Sequence, residues 1–424
     1  MCYLFECSHF RNDYIYYDLP RTGYSTTYSR VFVILYYLGR NLAMVHRPQD
    51  HHNRIIILLL GFLSFSVVLH IITLEWFHLA DPSHFHIYKN EDIVAPYRSE
   101  EGKPILRSYE DILKAAGVEI TDEIQSSLPP LSDLEDMYGS EPVIIGLEKC
   151  SEFRSKYGPN EAFMGPAGMF NTGTNLLERL MVNNCHIPGR DRTTRLLNGG
   201  HLVKYQVPWG KHSPVNMRTK HVAADAVGFD QEAFLPGLVI KDPYTWMDSM
   251  CRHKYAARWV DFKDHCPNLV PTNNEEKEKI HGEESVTIDV RYPYGVTHHT
   301  SMVDLWNTYY GDWINSDFPK VIVRFEDLLV HAEAVVEKIC DCVGGTMEPN
   351  NGGFVIPGPF KYEQESAKTK GGKAHAGSNG LVSSLVKYGT MSNRIKSFKP
   401  EDLEYARKEL NKDIMAMFKY TDPR

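Results

Sequence analysis

A short glycine-bounded loop is the part of the chain best suited to chemistry. It reads Gly-Met-Phe-Asn-Thr-Gly over residues 168–173 and is followed by Thr174 and Asn175. An apolar run precedes it and leucines at helical spacing follow it, so the pattern predicts a strand, a tight loop and a helix. Such a loop turns backbone N–H groups and the positive end of a helix dipole toward an anion. The residues therefore predict an anion site; the alternative is a β-turn before an amphipathic helix.

The same loop lacks the residues that handle a nucleoside triphosphate. Its spacing is that of the phosphate loop G-x-x-x-x-G, but Thr174-Asn175 stands where that motif continues with a lysine and a magnesium-binding hydroxyl. The pattern argues against an ordinary ATPase or kinase. It favours a phosphate-type anion that is bound without a metal.

Two basic elements follow apolar segments further along the chain. Residues 201–207 alternate like a strand and lead to Lys211 and His212, whereas residues 237–240 are apolar and end at Lys241. Ligands of open α/β sheets bind at the carboxyl ends of the strands. We therefore expect these side chains near the anion site. The alternative for Lys211 and His212 is a surface loop with incidental basic residues.

The loop itself resembles a known family. Asn171-Thr172-Gly173-Thr174-Asn175 resembles the 5′-phosphosulfate loop K-[ST]-G-T-[TN] of sulfotransferases that use 3′-phosphoadenosine 5′-phosphosulfate (PAPS), with Asn171 in place of the lysine. The segment that ends in Lys211-His212 resembles the family's K-x-H element, whose histidine serves as the base. Lys241 and Ser249 have the spacing of the family's 3′-phosphate site, with lysine in place of arginine.

Two later segments extend the resemblance, which covers about 60% of the chain. The apolar run 320–325, followed by Glu326-Asp327-Leu328-Leu329, resembles a strand-plus-EDLL element that packs structurally in the family. Lys370-Gly371-Gly372 approximates the R-K-G triplet of a loop that closes over the 3′-phosphate. The alternative for residues 361–377 is a solvated basic loop.

The resemblance implies an α/β fold with a P-loop-like central parallel sheet flanked by helices. It implies transfer of a sulfuryl group from PAPS to a hydroxyl or amine of an acceptor, without a metal. By analogy with phosphoryl transfer, positioning and charge stabilisation do most of the work. Residues 171–175 would cradle the phosphosulfate, and His212 would be the base. Lys211 or Lys204 would supply the cation that Asn171 lacks.

The first part of the 424-residue chain predicts a membrane anchor. Residues 55–73 carry no formal charge and have the length of a transmembrane helix; arginines precede them and acidic residues follow. The positive-inside rule then makes residues 1–54 a cytoplasmic tail, 74–149 a lumenal stem and domain entry, and 150–424 the lumenal domain. We expect a single-pass type II protein of the Golgi membrane. A buried core helix is the alternative for residues 55–73.

Cysteine usage agrees with a lumenal domain. Six of the eight cysteines lie on the predicted lumenal side, where disulfides persist. Cys251 and Cys266 flank a short basic segment and make the expected bridge. Cys340 and Cys342 are too close for an easy bridge to each other, so at least one should pair elsewhere or stay buried. A net charge of −8 and a pI near 6.2 argue against a general nucleic-acid binder.

Two other functions stay open, and the acceptor is not specified. A lumenal glycosyltransferase shares the type II topology, but the chain has no D-x-D motif to hold a metal and a nucleotide sugar, so it would have to be metal-independent. A catalytically silent PAPS-binding protein is suggested by Asn171. For an active enzyme, the expected acceptor is a glycan, a glycoprotein or a small hydroxyl compound.

Overall fold

The computed structural model describes residues 108–190, 195–196, 199–222, 226, 228–347, 354–356 and 380–423. All of them belong to one compact unit, Tyr88–Arg424. The predicted transmembrane segment 55–73 and Lys370-Gly371-Gly372 lie outside the described residues. Within these ranges, no helix combines the length and the apolar character that a bilayer span requires.

The described chain is a mixed α/β structure in which helices flank a partly parallel sheet. The strands are β1 Ile144–Ile145, β2 Phe163–Gly168, β3 Cys185–His186, β4 Phe234–Ile240, β5 Ala257–Arg258, β6 Ile288–Tyr292, β7 Gly295–His299, β8 Val321–Arg324 and β9 Thr346–Met347. The helices are α1 Tyr109–Ala115, α2 Asp122–Ser127, α3 Leu131–Tyr138, α4 Cys150–Lys156, α5 Thr174–Asn184, α6 Pro243–Arg252, α7 Asn274–Lys279, α8 Met302–Ile314, α9 Asp327–Val330, α10 Ala332–Cys342, α11 Leu381–Gly389, α12 Pro400–Glu409 and α13 Lys412–Met417.

The central sheet has the order β1-β8-β4-β2. Strands β2, β4 and β8 are parallel, and β1 runs antiparallel to β8. Strand β4 is buried along its whole length, which is typical of a parallel strand covered on both faces. Gly237 in β4 lets α5 approach, because a side chain there would press against Leu177. Strands β5, β6 and β7 form a separate antiparallel sheet, and β3 pairs with β9.

The helices before Cys150 pack into the same core as the sheet. Ile112 and Leu113 of α1, and Leu134 and Met137 of α3, are buried in the main hydrophobic cluster. Part of the predicted stem and domain-entry region therefore contributes to the folded body.

Three disulfides link segments of the chain within the described residues. Cys251–Cys266 is the bridge that the sequence predicts. Cys340 and Cys342 each pair with a distant cysteine, as Cys185–Cys340 and Cys150–Cys342. Both of these bridges hold α10: one joins it to β3, directly after α5, and the other joins it to the start of α4.

Two predicted elements differ from the observed ones. Residues 201–207 form no strand; only Val203 makes a bridge, to Met164 of β2. The bridge uses the Leu202 carbonyl and the Lys204 N–H, both bonded to Met164, and Pro166 of β2 has no N–H with which to continue the ladder. Residues 400–420, whose sequence predicts one amphipathic helix, form two helices, because Asn411 Oδ1 accepts from two backbone N–H groups and starts α13.

Candidate anion-binding site

Sheet register brings the predicted site segments to one edge. Gly168 of β2 pairs with Val239 of β4, and Ile240 of β4 pairs with Arg324 of β8. Since the three strands are parallel, their carboxyl ends meet there. The residues that follow each strand, the glycine loop (residues 168–173), Lys241 and Phe325, are therefore neighbours.

The glycine loop has a conformation that its glycines make possible. Gly168 and Gly173 have φ values of 150° and 87°, a range that L side chains rarely adopt. A Cβ on Gly173 would overlap the Phe325 ring. Inside the loop, the buried Thr172 hydroxyl donates to the Met169 carbonyl at 2.8 Å. Thr172 thus shapes the loop, and its hydroxyl is already committed to the backbone.

Backbone donors gather where the loop enters α5. Gly173 is the N-cap and provides no side-chain cap, so the first-turn N–H groups rely on other acceptors. The backbone N–H groups of Thr172, Gly173, Thr174 and Asn175 have no acceptor within the part of the chain that the structure describes. Together with the helix dipole, they make a cradle suited to an anion.

Asn171 occupies the position where the resembled family has lysine, and its side chain faces elsewhere. Its amide nitrogen donates to the His253 carbonyl at 2.9 Å and contacts Met250 Sδ at 3.2 Å. Its φ is 64°, a left-handed value that asparagine tolerates well. Asn171 therefore fixes the loop to the end of α6, and its amide does not point into the cradle.

The structure distinguishes between the two lysines proposed as the missing cation. Lys211 lies at the loop: its carbonyl accepts from Gly168 N at 2.8 Å, and its ammonium donates to Asn175 Oδ1 at 2.6 Å. Lys204 lies beside Met164 at the start of β2, about 13 Å back along the strand at 3.3 Å per residue. Its ammonium is bonded to the Gly199 carbonyl. Lys211 is therefore the cation at the cradle.

Glu178, one turn into α5, belongs to the same surroundings and was missed in the sequence analysis. It is buried and pairs with Arg195. Burial raises the pKa of Glu178, and Arg195 and Lys211 oppose that rise. Burial also lowers the pKa of Lys211, which Glu178 counteracts. The carboxylate therefore helps to keep the Lys211 ammonium charged in a desolvated place.

One hydrogen bond fixes the tautomer of His212. Its Nδ1 lies 2.8 Å from the Gly168 carbonyl, which can only accept, so Nδ1 carries the proton and Nε2 keeps its lone pair. Burial lowers the pKa of His212 to about 4, with a further contribution from Lys211. The imidazole is thus neutral near pH 7 and available as a proton acceptor.

A second cluster of cations lies at Lys241 and Ser249, which the sequence analysis paired by spacing. Lys241 is buried; its ammonium donates to Ser249 Oγ at 3.0 Å and reaches the Asn171 carbonyl at 3.5 Å. Arg252 Nη2 also donates to Ser249 Oγ, at 2.9 Å. Two cations therefore converge on one oxygen, as they would on a phosphate oxygen. Arg252 could have been found from its i+3 spacing to Ser249.

Helix α11 adds two residues that no local pattern linked to the site. The Lys241 ammonium lies 4.2 Å from the centre of the Tyr388 ring, and Lys387 faces Asp248 at 3.5 Å. Burial alone would raise the pKa of Tyr388, but Lys241, Lys387 and Arg252 together lower it to about 7. A cavity of about 950 Å³ adjoins this cluster, with Arg252, Lys387 and Asp248 among its lining residues.

The EDLL element, residues 326–329, holds the backbone next to Lys241 in place. Glu326 Oε1 accepts from Asp242 N at 3.2 Å, and Asp242 Oδ1 caps α6. Arg324 forms a buried ion pair with Asp327, whose carboxylate also accepts from Val143 N. Burial, with the nearby Asp242 carboxylate, raises the pKa of Glu326 to about 7. These contacts fix the end of β4 and hence the backbone of Lys241.

Among the described residues, no group of three or more His, Cys, Asp or Glu side chains is arranged to hold a metal ion. Comparisons with protein-family models, with curated proteins and with solved structures found no match for the chain.

Proposed function

We propose that this chain transfers a sulfuryl group from PAPS to a hydroxyl or amine of an acceptor. The observation that supports the proposal is two groups of hydrogen-bond donors and cations on one sheet edge, joined where Lys241 Nζ reaches the Asn171 carbonyl at 3.5 Å. The donors at residues 172–175 suit the 5′-phosphosulfate. The cations around Ser249 suit the 3′-phosphate. A nucleotide that carries phosphates on both the 5′ and the 3′ positions of its ribose matches this arrangement.

The groups at the loop have the roles that such a transfer needs. The acceptor oxygen attacks sulfur, a new S–O bond forms, and the bond to the bridging phosphate oxygen breaks. His212 Nε2 takes the acceptor proton. The Lys211 ammonium, beside Asn175, stabilises the charge that develops on the bridging oxygen. The products are a sulfate ester and 3′-phosphoadenosine 5′-phosphate (PAP), and the backbone cradle keeps PAP oriented.

Four further features are proposed from the sequence alone. They are the P-loop-like character of the sheet, anchoring by residues 55–73, a Golgi location with a lumenal domain, and closure of Lys370-Gly371-Gly372 over the 3′-phosphate. Three disulfides favour an oxidising compartment. A lumenal location favours a glycan or a glycoprotein as the acceptor, and a small hydroxyl compound is the other class to include in a screen.

The direct test is calorimetric binding of PAP to the full-length chain, with ADP and UDP as controls. We expect selective binding of PAP, because ADP and UDP lack the 3′-phosphate. Lys241→Met should weaken PAP binding by about 10- to 100-fold, the worth of one charge-assisted hydrogen bond. Lys408→Met is a matched control, because that lysine is on the exposed face of α12. Selective binding of UDP would instead support a metal-independent glycosyltransferase.

Asn171 gives one rival its support. Asparagine is uncharged, and its amide donates to the His253 carbonyl. This loop position therefore supplies no cation to the sulfuryl group. A silent PAPS-binding protein would bind PAP selectively and transfer nothing. An acceptor screen with sulfur-labelled PAPS separates the two. Transfer of label to any acceptor by the wild-type chain, and loss of that transfer in His212→Ala, would support the enzyme.

A further inference from the structure

The glycine loop is held from outside by residues 253–255, which follow α6. The Asn171 amide donates to the His253 carbonyl at 2.9 Å. The Phe170 ring stacks on Tyr255, with centroids 5.3 Å apart and planes inclined by 12°. Trp246 Nε1 donates to the Phe170 carbonyl at 2.9 Å. The side chains of Phe170 and Asn171 are thus engaged by residues 253–255, and α6 holds the Phe170 backbone.

Tyr255 adopts a conformation that a tyrosine rarely takes. Its φ is 52°, in the left-handed region that favours glycine. Its backbone N–H donates to His253 Nδ1 at 3.1 Å, and its ring lies 3.8 Å from the His253 ring, centre to centre. Strained residues of this kind persist where their surroundings hold them, and they concentrate at functional sites.

The stack continues to the proposed base. Phe170 also contacts the His212 ring, with centroids 4.7 Å apart. The rings of His253, Tyr255, Phe170 and His212 therefore form a row that runs from the surface to the cradle. The Cys251–Cys266 disulfide closes the segment that carries the outer two rings. That closure limits the positions the outer rings can take.

We infer that Tyr255 is a positioning residue. With Asn171 it holds the glycine loop in the shape that presents the backbone N–H groups to an anion, and through Phe170 it sets the orientation of His212. This inference rests on the proposed function only for the identity of the ligand. It also explains why asparagine serves at position 171: its side chain secures the loop, and Lys211 supplies the charge.

Tyr255→Gly in the full-length chain separates positioning from folding. Glycine removes the ring and relieves the positive φ, so the thermal unfolding midpoint should stay at the wild-type value or rise. The dissociation constant for PAP should nevertheless increase about tenfold, and amide exchange at residues 170–175 should accelerate, because the loop then samples open conformations. Tyr255→Phe retains the stack and should bind PAP like the wild type. Val260→Gly, at an exposed position of the same disulfide-closed segment, controls for added flexibility.

Wild-type affinity and wild-type amide exchange in Tyr255→Gly would overturn the inference. So would a fall in affinity that accompanies a lower unfolding midpoint and faster exchange throughout the sheet, since this pattern marks a general structural role. Absence of PAP binding by the wild-type chain would count against the proposed function instead. In that case, exchange at residues 170–175 decides the positioning role by itself.

Discussion

At pH 8, PAP binding by the wild-type chain should be accompanied by the uptake of a proton. Replacing Tyr388 with phenylalanine should abolish that uptake. The Tyr388 ring is buried, 4.2 Å from the Lys241 ammonium. Burial opposes ionisation of the phenol, but Lys241, Lys387 and Arg252 outweigh it and lower the pKa to about 7. A phosphate bound among these cations neutralises them. It should therefore return the pKa of Tyr388 to its usual range or above.

The size of the effect follows from that pKa. At pH 8, one unit above it, about 90% of free chains carry the tyrosinate, so binding should take up about 0.9 proton. The phosphate of PAP contributes little, because its second pKa near 6 leaves it almost fully ionised at that pH. Tyrosinate also competes with the phosphate for the cations. PAP affinity should therefore fall about tenfold between pH 6 and pH 8 through Tyr388.

Calorimetry in buffers of different ionisation enthalpy measures the uptake directly. The slope of the observed enthalpy against the buffer enthalpy gives the number of protons bound at pH 8. Tyr388→Phe should bring that slope close to zero, whereas Tyr405→Phe, on α12, should leave it unchanged. A wild-type slope of zero with PAP bound, or an unchanged slope in Tyr388→Phe, would refute the reasoning.

Three further predictions address the loop and the cations. Ser249→Ala should weaken PAP binding about tenfold and leave ADP binding unchanged in calorimetry, because ADP lacks the 3′-phosphate; an equal loss for both nucleotides would contradict the site. In pH profiles at saturating PAPS, kcat/KM for the acceptor should hold from about pH 7 down to about pH 5, because burial lowers the pKa of His212 to about 4; a fall with its midpoint near pH 6.5 would argue against His212 as the base. Gly173→Ala should lower the free energy of unfolding in urea by about 2–5 kcal/mol, the sum of about 1–2 kcal/mol for alanine in a left-handed conformation and about 1–3 kcal/mol for the overlap with the Phe325 ring. Gly189 has a φ of 82° and no atom within 4 Å of an added Cβ, so Gly189→Ala should lower the free energy of unfolding by only about 1–2 kcal/mol. Equal losses in the two variants would show that Phe325 is not the obstacle.

Local patterns predicted much of the frame around the site. The strand, loop and helix at residues 163–184 follow from apolar periodicity broken by glycines, and the structure has all three. The Cys251–Cys266 bridge is confirmed, and its short sequence separation made it readable. Residues 201–207 were wrongly predicted as a strand because alternation says nothing of the neighbouring strand, where Pro166 has no N–H to continue the ladder.

By itself, the sequence determined the features that neighbouring residues decide: the glycine loop, the start of α5, and the spacing that pairs Lys241 with Ser249. Only the tertiary structure decided which lysine lies at the cradle, and that Tyr388 of α11 reaches Lys241. It also decided the partners of Cys340 and Cys342, which lie 155 and 192 residues away. The physical reason is that strand register brings the carboxyl ends of β2, β4 and β8 together. Contacts between segments so far apart in sequence produce no periodic pattern in the chain that could predict them.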